Sequence, residues 1–182
     1  VEQSGTDACI YVLSRQAGEG GDRKVEKGDY LLSDEELAHI RFCAEHYEKF
    51  VLVINCGSSM ELSALDEIPG IHAILYICQL GSEGGHAVAD ILSGAISPSG
   101  KLSDTWAKHY DDIPFAREYS YLNGNLQDEY YKEGIYVGYR YFQSAGKEVS
   151  YPFGYGLTYG DVHVTGLTAD TEAAVVAAVS YT

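Results

Sequence analysis

The sequence predicts an α/β fold: a three-layer α/β/α sandwich on a mostly parallel sheet. Three observations carry that expectation. Residues 8–13, 50–55 and 71–77 are continuous apolar runs, as strands are when helices cover both faces of their sheet. Stretches with helical signals follow each run, giving the strand–helix alternation of parallel sheets with right-handed crossovers. Each run also ends in a glycine-containing turn, so three candidate ligand loops fall on one edge of the sheet.

The first strand, 8–13, leads into Gln16-Ala-Gly-Glu-Gly-Gly-Asp-Arg23. Three glycines surround Glu19 here, and glycine permits a sharp turn and close approach of a ligand or another chain. The loop reads either as a ligand site or as a solvated turn carrying an ordinary acid. Ser33 and Glu36 form a capping box, and Leu37, Ile40 and Ala44 follow at helical spacing, so a helix is expected to about residue 49. The second strand, 50–55, ends in Cys56-Gly-Ser-Ser59, where Ser58 or Ser59 is expected to cap a short helix through Leu65. The third strand, 71–77, enters Gln79-Leu-Gly-Ser-Glu-Gly-Gly85. A helix follows with Ala87, Val88, Ile91 and Leu92 on its apolar face, and it stops at Gly94.

Beyond Gly94 the character changes. Residues 101–106 read as short and extended, and 109–129 as an aromatic, acidic loop. The tyrosine-rich stretch 131–142 reads as a strand or strand-like segment packing on the sheet or on a neighbouring domain. Residues 162–182 alternate apolar and small polar side chains, as in antiparallel β structure, and are expected to open a β-sandwich.

Composition narrows the function. The 182 residues suit one domain, or one domain and part of a second. A net charge of −15 argues against nucleic acid and against anionic membrane surfaces as partners. No apolar run approaches the length of a membrane span. The chain opens at Val1 without a signal-peptide pattern, so the numbering is expected to start inside a larger gene product. Cys9, Cys43, Cys56 and Cys78 form no Cys-x-x-Cys pair, which disfavours zinc and thioredoxin-like chemistry. They are expected to be small buried hydrophobes in a reducing compartment, so a bacterial cytoplasmic setting is favoured over secretion.

The loops exclude several chemistries. Gly18-Glu-Gly-Gly21 places a carboxylate where pyrophosphate would lie, which disfavours a dinucleotide site. Gly81-Ser-Glu-Gly-Gly85 does not fit the Gly-x-Ser-x-Gly nucleophile elbow, and the six histidines lack metal-ligand spacing. Glu83 falls in the first turn of a helix, where the dipole favours its anion. That makes it a poor proton reservoir and a better loop acceptor. Glu19 lacks that stabilisation, and desolvation under a covering domain would raise its pKa into a general acid's range. Asp22 and Arg23 are expected to pair and fix the loop.

The succession of Gly18-Glu-Gly-Gly-Asp-Arg23, Leu32-Ser-Asp-Glu-Glu-Leu37, Asn55-Cys-Gly-Ser58, Gln79-Leu-Gly-Ser-Glu-Gly-Gly85, Pro98-Ser-Gly-Lys-Leu102, Glu133-Gly-Ile-Tyr-Val-Gly-Tyr-Arg140 and Phe153-Gly-Tyr-Gly-Leu157 resembles glycoside hydrolase family 3, the β-glucosidase group. The resemblance implies that residues 1–160 are part of that family's α/β sandwich domain. It implies that residues 161–182 begin a fibronectin type III-like sandwich. It further implies a retaining glycosidase acting on terminal non-reducing β-D-glucosyl residues, with glucosidase-like or xylosidase-like specificity. Glu19 would be the acid/base, Asp22 and Arg23 would support the loop or touch substrate, and no cofactor or metal is called for. The nucleophilic aspartate would lie on a (β/α)8 barrel of the same protein, either before or after this segment. The chain by itself is then expected to be inactive. A barrel-facing surface would be apolar, and a homo-oligomer is compatible with it. The competing reading, from a different class, is a non-catalytic flavodoxin-like module that binds a small ligand at the three loops and docks a partner through its tyrosines.

Overall fold

Three parallel strands form the central sheet in the order β1-β2-β3: β1 (Ala8–Ser14), β2 (Lys49–Asn55) and β3 (Ala73–Tyr76). The computed structural model describes residues 4–16, 21, 23–118, 124–160, 162–169 and 175–181. Glu19 and Asp22 lie outside the described residues. Ala8 stands opposite Lys49 and Ser14 opposite Asn55, while Val51 stands opposite Ala73. Side chains alternate across a strand, so this register puts Cys9, Tyr11 and Leu13 on the same face as Phe50, Leu52 and Ile54.

That face holds the core. Helix α1 (Asp34–His46) packs on it through Ile40 and Cys43, and Met60, Leu62, Leu65, Ile68 and Trp106 complete the cluster. The predicted capping box is present. Ser33 Oγ accepts from the Glu36 amide at 3.1 Å, and the Glu36 carboxylate accepts from the Ser33 amide at 2.8 Å. The helix stops at His46, short of residue 49, because Tyr47 is extended and Lys49 already pairs with Ala8.

The opposite face differs from expectation. Continuous apolar strands suggested burial on both sides, yet Ile10 is 53% and Val12 55% exposed. Helix α2 (Gly84–Leu92) ends before Gly94 as predicted. It borders this face through Val88 and Leu92, across an open groove of about 630 Å³ that Ile10, Val12 and Val53 also line. Val53 at the sheet centre is buried, but the edge strand is left partly uncovered among the described residues. Strand β3 is also shorter than residues 71–77, and Ile74, opposite Leu52 on the core face, is 37% exposed at the other edge of the sheet.

Other local expectations change for identifiable reasons. The helix through Leu65 is a single 3₁₀ turn, Ser63–Leu65, with no side-chain cap. Ser58 and Ser59 instead accept hydrogen bonds from Arg23. The stretch 131–142 is not a strand. Gly134 (φ +60°) and Gly138 (φ +58°) break the extended run, since left-handed backbone cannot continue a ladder. Helix α3 (Tyr139–Ser144) then buries Phe142. Residues 101–106 contribute only Trp106 to a strand: β4 (Trp106–Ala107) pairs antiparallel with β5 (Val149–Tyr151). A two-residue strand has no periodicity for a sequence to display. Cys43 and Cys56 are buried and Cys9 partly so, but Cys78 is exposed, at φ +53° in the turn after β3. The tail forms the expected antiparallel pair, β6 (Val162–Ala169) with β7 (Val175–Tyr181).

Candidate active site

A parallel sheet brings the carboxyl ends of its strands to one edge, and there Gln16, Asn55 and Gln79 line one groove. The β1–β2 ladder extends one residue past β1, where the Arg15 amide donates to the Asn55 carbonyl at 2.9 Å.

Arg15 is only 8% exposed, an unusual setting for a guanidinium. Its charge is answered by Glu36, which it grips with two parallel bonds of 2.6 and 2.7 Å. Its remaining donors reach the main-chain oxygens of Ser14, Leu31 and Asp29, the last at 2.7 Å. One side chain thus ties the end of β1 to the capped start of α1 and to the 24–31 turn. Burial alone would raise the Glu36 pKa, but the Arg15 hydrogen bonds and charge, with the Ser33 amide, hold it below its ordinary value.

Arg23 closes the loop on the other side. Its expected partner Asp22 is not described. Its guanidinium engages Asp29, six residues on, with Nε 2.8 Å from the carboxylate and Nη2 2.6 Å from the main-chain oxygen. Nη1 donates to Ser58 Oγ and to the Ser59 carbonyl, both at 2.8 Å, which fastens the first loop to the second. The group lies 5.6 Å from the centre of the Tyr30 ring. Burial and the nearby Glu61 push the Tyr30 hydroxyl up to about 12, so it stays protonated across the working range. Desolvation raises the Asp29 carboxyl, but the Arg23 bond, the Lys24 amide and the two arginine charges together hold it below its ordinary value.

Neither Arg15 nor Asp29 was singled out in the sequence. A signal was available: an arginine that directly follows an apolar strand needs a buried anion, and Glu36 of the capping box has a second oxygen to give. The third loop reaches the second through Gln79. The Gln79 Oε1 lies 2.8 Å from where a Cβ on Gly57 would stand, so its side chain rests over that turn. Glu83 occupies the N-cap position of α2 but makes no cap bond; it is exposed and sits 2.7 Å from His86 Nδ1. Among the described residues no cluster of three His, Cys, Asp or Glu side chains could hold a metal ion.

The residues on either side of the glycine loop, Arg15 and Arg23, are therefore fastened by buried or half-buried ion pairs. Such a frame can hold a reacting group in place without using that group's own hydrogen bonds.

Comparison with known proteins gives this edge a context. The sequence profile of the glycosyl hydrolase family 3 C-terminal domain matches residues 2–139. A β-glucosidase of Ruminococcus albus is 36% identical over 172 residues, covering 94% of this chain and 18% of its own length. An exo-α-(1→6)-L-arabinopyranosidase of Bifidobacterium longum is 33% identical over 147 residues, with 81% of this chain and 19% of its own covered. The structure of β-glucosidase 3B from Thermotoga neapolitana in complex with glucose superposes with a TM-score of 0.82 at 38% identity, over 91% of this chain and 24% of that one. The chain thus spans about a fifth to a quarter of the length of these relatives. With a parallel α/β sheet, a profile match over most of its residues and that superposition, the chain belongs to the glycosyl hydrolase family 3 C-terminal domain family.

Proposed function

We propose that this chain supplies the general acid/base, Glu19, of a retaining β-glucosidase whose nucleophilic aspartate stands on a (β/α)8 barrel of the same protein. The observation that carries the reading is the family match across residues 2–139, which includes the glycine loop, together with β-glucosidase relatives at 36–38% identity. In this reading Glu19 protonates the leaving glycosidic oxygen while the aspartate forms the glycosyl-enzyme. Glu19, now ionised, takes a proton from the water that releases the sugar. The two carboxyl groups must approach to about 5–5.5 Å, so the loop has to be presented at fixed height above a docked barrel. The Arg15 and Arg23 contacts supply that kind of support. The half-open tyrosine segment, with Tyr136 50% and Ile135 71% exposed, fits a surface covered by the barrel. Residues 1–160 then form the α/β sandwich part, and 161–182 belong to a fibronectin type III-like sandwich. The 182-residue chain alone is inert.

The test uses the full-length protein. Glu19→Ala is compared with wild type on a dinitrophenyl β-glucoside, with and without azide. Such a leaving group departs with little acid help, whereas breakdown of the intermediate still needs a base. A slow variant whose turnover azide restores, yielding a β-glucosyl azide, supports the reading. A variant as fast as wild type removes Glu19 from the chemistry. The arabinopyranosidase relative favours one second reading, a pentopyranoside substrate. Comparing kcat/KM for nitrophenyl β-D-glucoside and α-L-arabinopyranoside in the same protein separates the two.

A further inference from the structure

Two arginines bracket the glycine loop in sequence, and in space both converge on one residue outside it. Arg15 precedes the loop and Arg23 follows it. Arg15 Nε and Arg23 Nη2 donate to the same oxygen, the main-chain carbonyl of Asp29, at 2.7 and 2.6 Å. A carbonyl oxygen has two lone pairs, so it can satisfy both. Each arginine also has its own anion: Glu36 for Arg15, the Asp29 carboxylate for Arg23. The Asp29 side chain accepts from the Lys24 amide at 2.7 Å as well, which fixes the turn that carries the shared carbonyl.

We infer that Asp29 is a positioning residue for the acid/base loop, with Arg15 and Arg23 as the two arms through which it acts. The inference rests on the proposed role of Glu19 and adds residues to that site. Neither end of the loop can shift without breaking a charge-assisted bond to Asp29, and the arms are coupled because they share an acceptor. Arg15 ties the residue before the loop to α1 through Glu36, and Arg23 ties the residue after it to the 56–59 turn through Ser58 and Ser59. None of these side chains is asked to touch the sugar. Their contribution would show in how well a proton reaches the leaving oxygen.

That gives a readout that loss of general stability does not imitate. In the full-length protein, Asp29→Ala and Arg15→Lys are compared with wild type on aryl β-glucosides running from dinitrophenyl to unsubstituted phenyl. Lysine keeps a charge at 15 but cannot bridge Glu36 and the Asp29 carbonyl together. Misplacing a proton donor by about 1 Å can cost about 100-fold. The expected result is therefore a fall of that order in kcat/KM for the phenyl glucoside, with the dinitrophenyl glucoside nearly unchanged and the leaving-group dependence steepened. Arg23→Lys steepens it in the same direction. Equal losses across the series in folded Asp29→Ala overturn the inference, as does an unchanged leaving-group slope in that variant when Arg15→Lys fails to fold. Asp29→Ala keeps the shared carbonyl and loses a side chain that is 30% exposed, so it is the variant least exposed to misfolding. The outcome is separable from the Glu19 assignment: azide rescue of Glu19→Ala with a flat slope in Asp29→Ala removes the positioning role alone. Absence of rescue in Glu19→Ala removes the reading on which it rests.

Discussion

Arg15 and Arg23 share one acceptor, the main-chain oxygen of Asp29, at 2.7 and 2.6 Å. The two arginines are eight positions apart and enclose the glycine loop. Their meeting point is fixed by a turn, 24–31, held by its own main-chain bonds, such as Gly28 N to Leu31 O at 2.9 Å. The frame is thus built from elements that stand without the loop.

The Arg15–Glu36 pair is the part of that frame with the largest structural consequence. Removing one partner of a buried pair leaves an uncompensated charge, at a cost of about 3 kcal/mol. Glu36 also completes the α1 capping box, so Glu36→Ala loses the cap bond with it. Denaturant unfolding should show Glu36→Ala destabilised by roughly that amount, and Glu36→Gln by less, because glutamine keeps an acceptor for the Ser33 amide.

The same carboxylates predict an acid limit. Burial would raise both, but their arginine bonds hold Glu36 below its ordinary 4.5 and Asp29 below its ordinary 3.8. A depressed folded pKa means the unfolded chain binds more protons as pH falls. Their contribution is therefore fully present above about pH 5 and is lost progressively as pH drops through the folded values. Thermal unfolding followed from pH 6 to pH 3 should show a decline in wild type that is shallower in Glu36→Gln.

Among the described glycines, Gly70 alone combines a positive φ with a clash against backbone. Its φ is +93°, and a side chain there would press on the Ala44 carbonyl at 2.5 Å, an atom of the α1 backbone. Strain and clash together should cost Gly70→Ala about 3 kcal/mol, roughly a 9 °C fall in Tm. Gly81→Ala, with open space around it and no positive φ, should change Tm little.

Thiol labelling should order the cysteines. Cys78 is exposed; Cys43 and Cys56 are buried. Burial, with Cys9 at 3.6 Å, pushes the Cys43 thiol up to about 11, so little thiolate exists at neutral pH. Iodoacetamide followed by peptide mass spectrometry should find Cys78 modified first among the four, with Cys43 and Cys56 labelled only on unfolding.

Much of the architecture was decided locally and could be read locally. The apolar runs are the strands, and in β2, at the sheet centre, successive apolar residues are buried on both faces as a parallel sheet requires. Ser33 and Glu36 start α1 because their side chains satisfy two amides that the helix leaves open. Gly94 ends α2 at φ +78°, a conformation glycine accepts without strain. The glycine loop and its succession with the later motifs also carried the family likeness without any coordinates.

What the tertiary structure decided depends on partners far apart in sequence. Nothing near Arg23 predicts Ser58 and Ser59 as acceptors, because that contact exists only once β1 and β2 lie side by side. Arg15 and Glu36 meet for the same reason, across 21 residues. The exposure of Ile10 and Val12 is likewise a property of what lies over the sheet, and a strand's own pattern records only that its side chains are apolar. Short-range order is written in capping, turn and periodicity chemistry. The charge network that frames the loop arises from long-range packing, which brings ions together that the sequence lists separately.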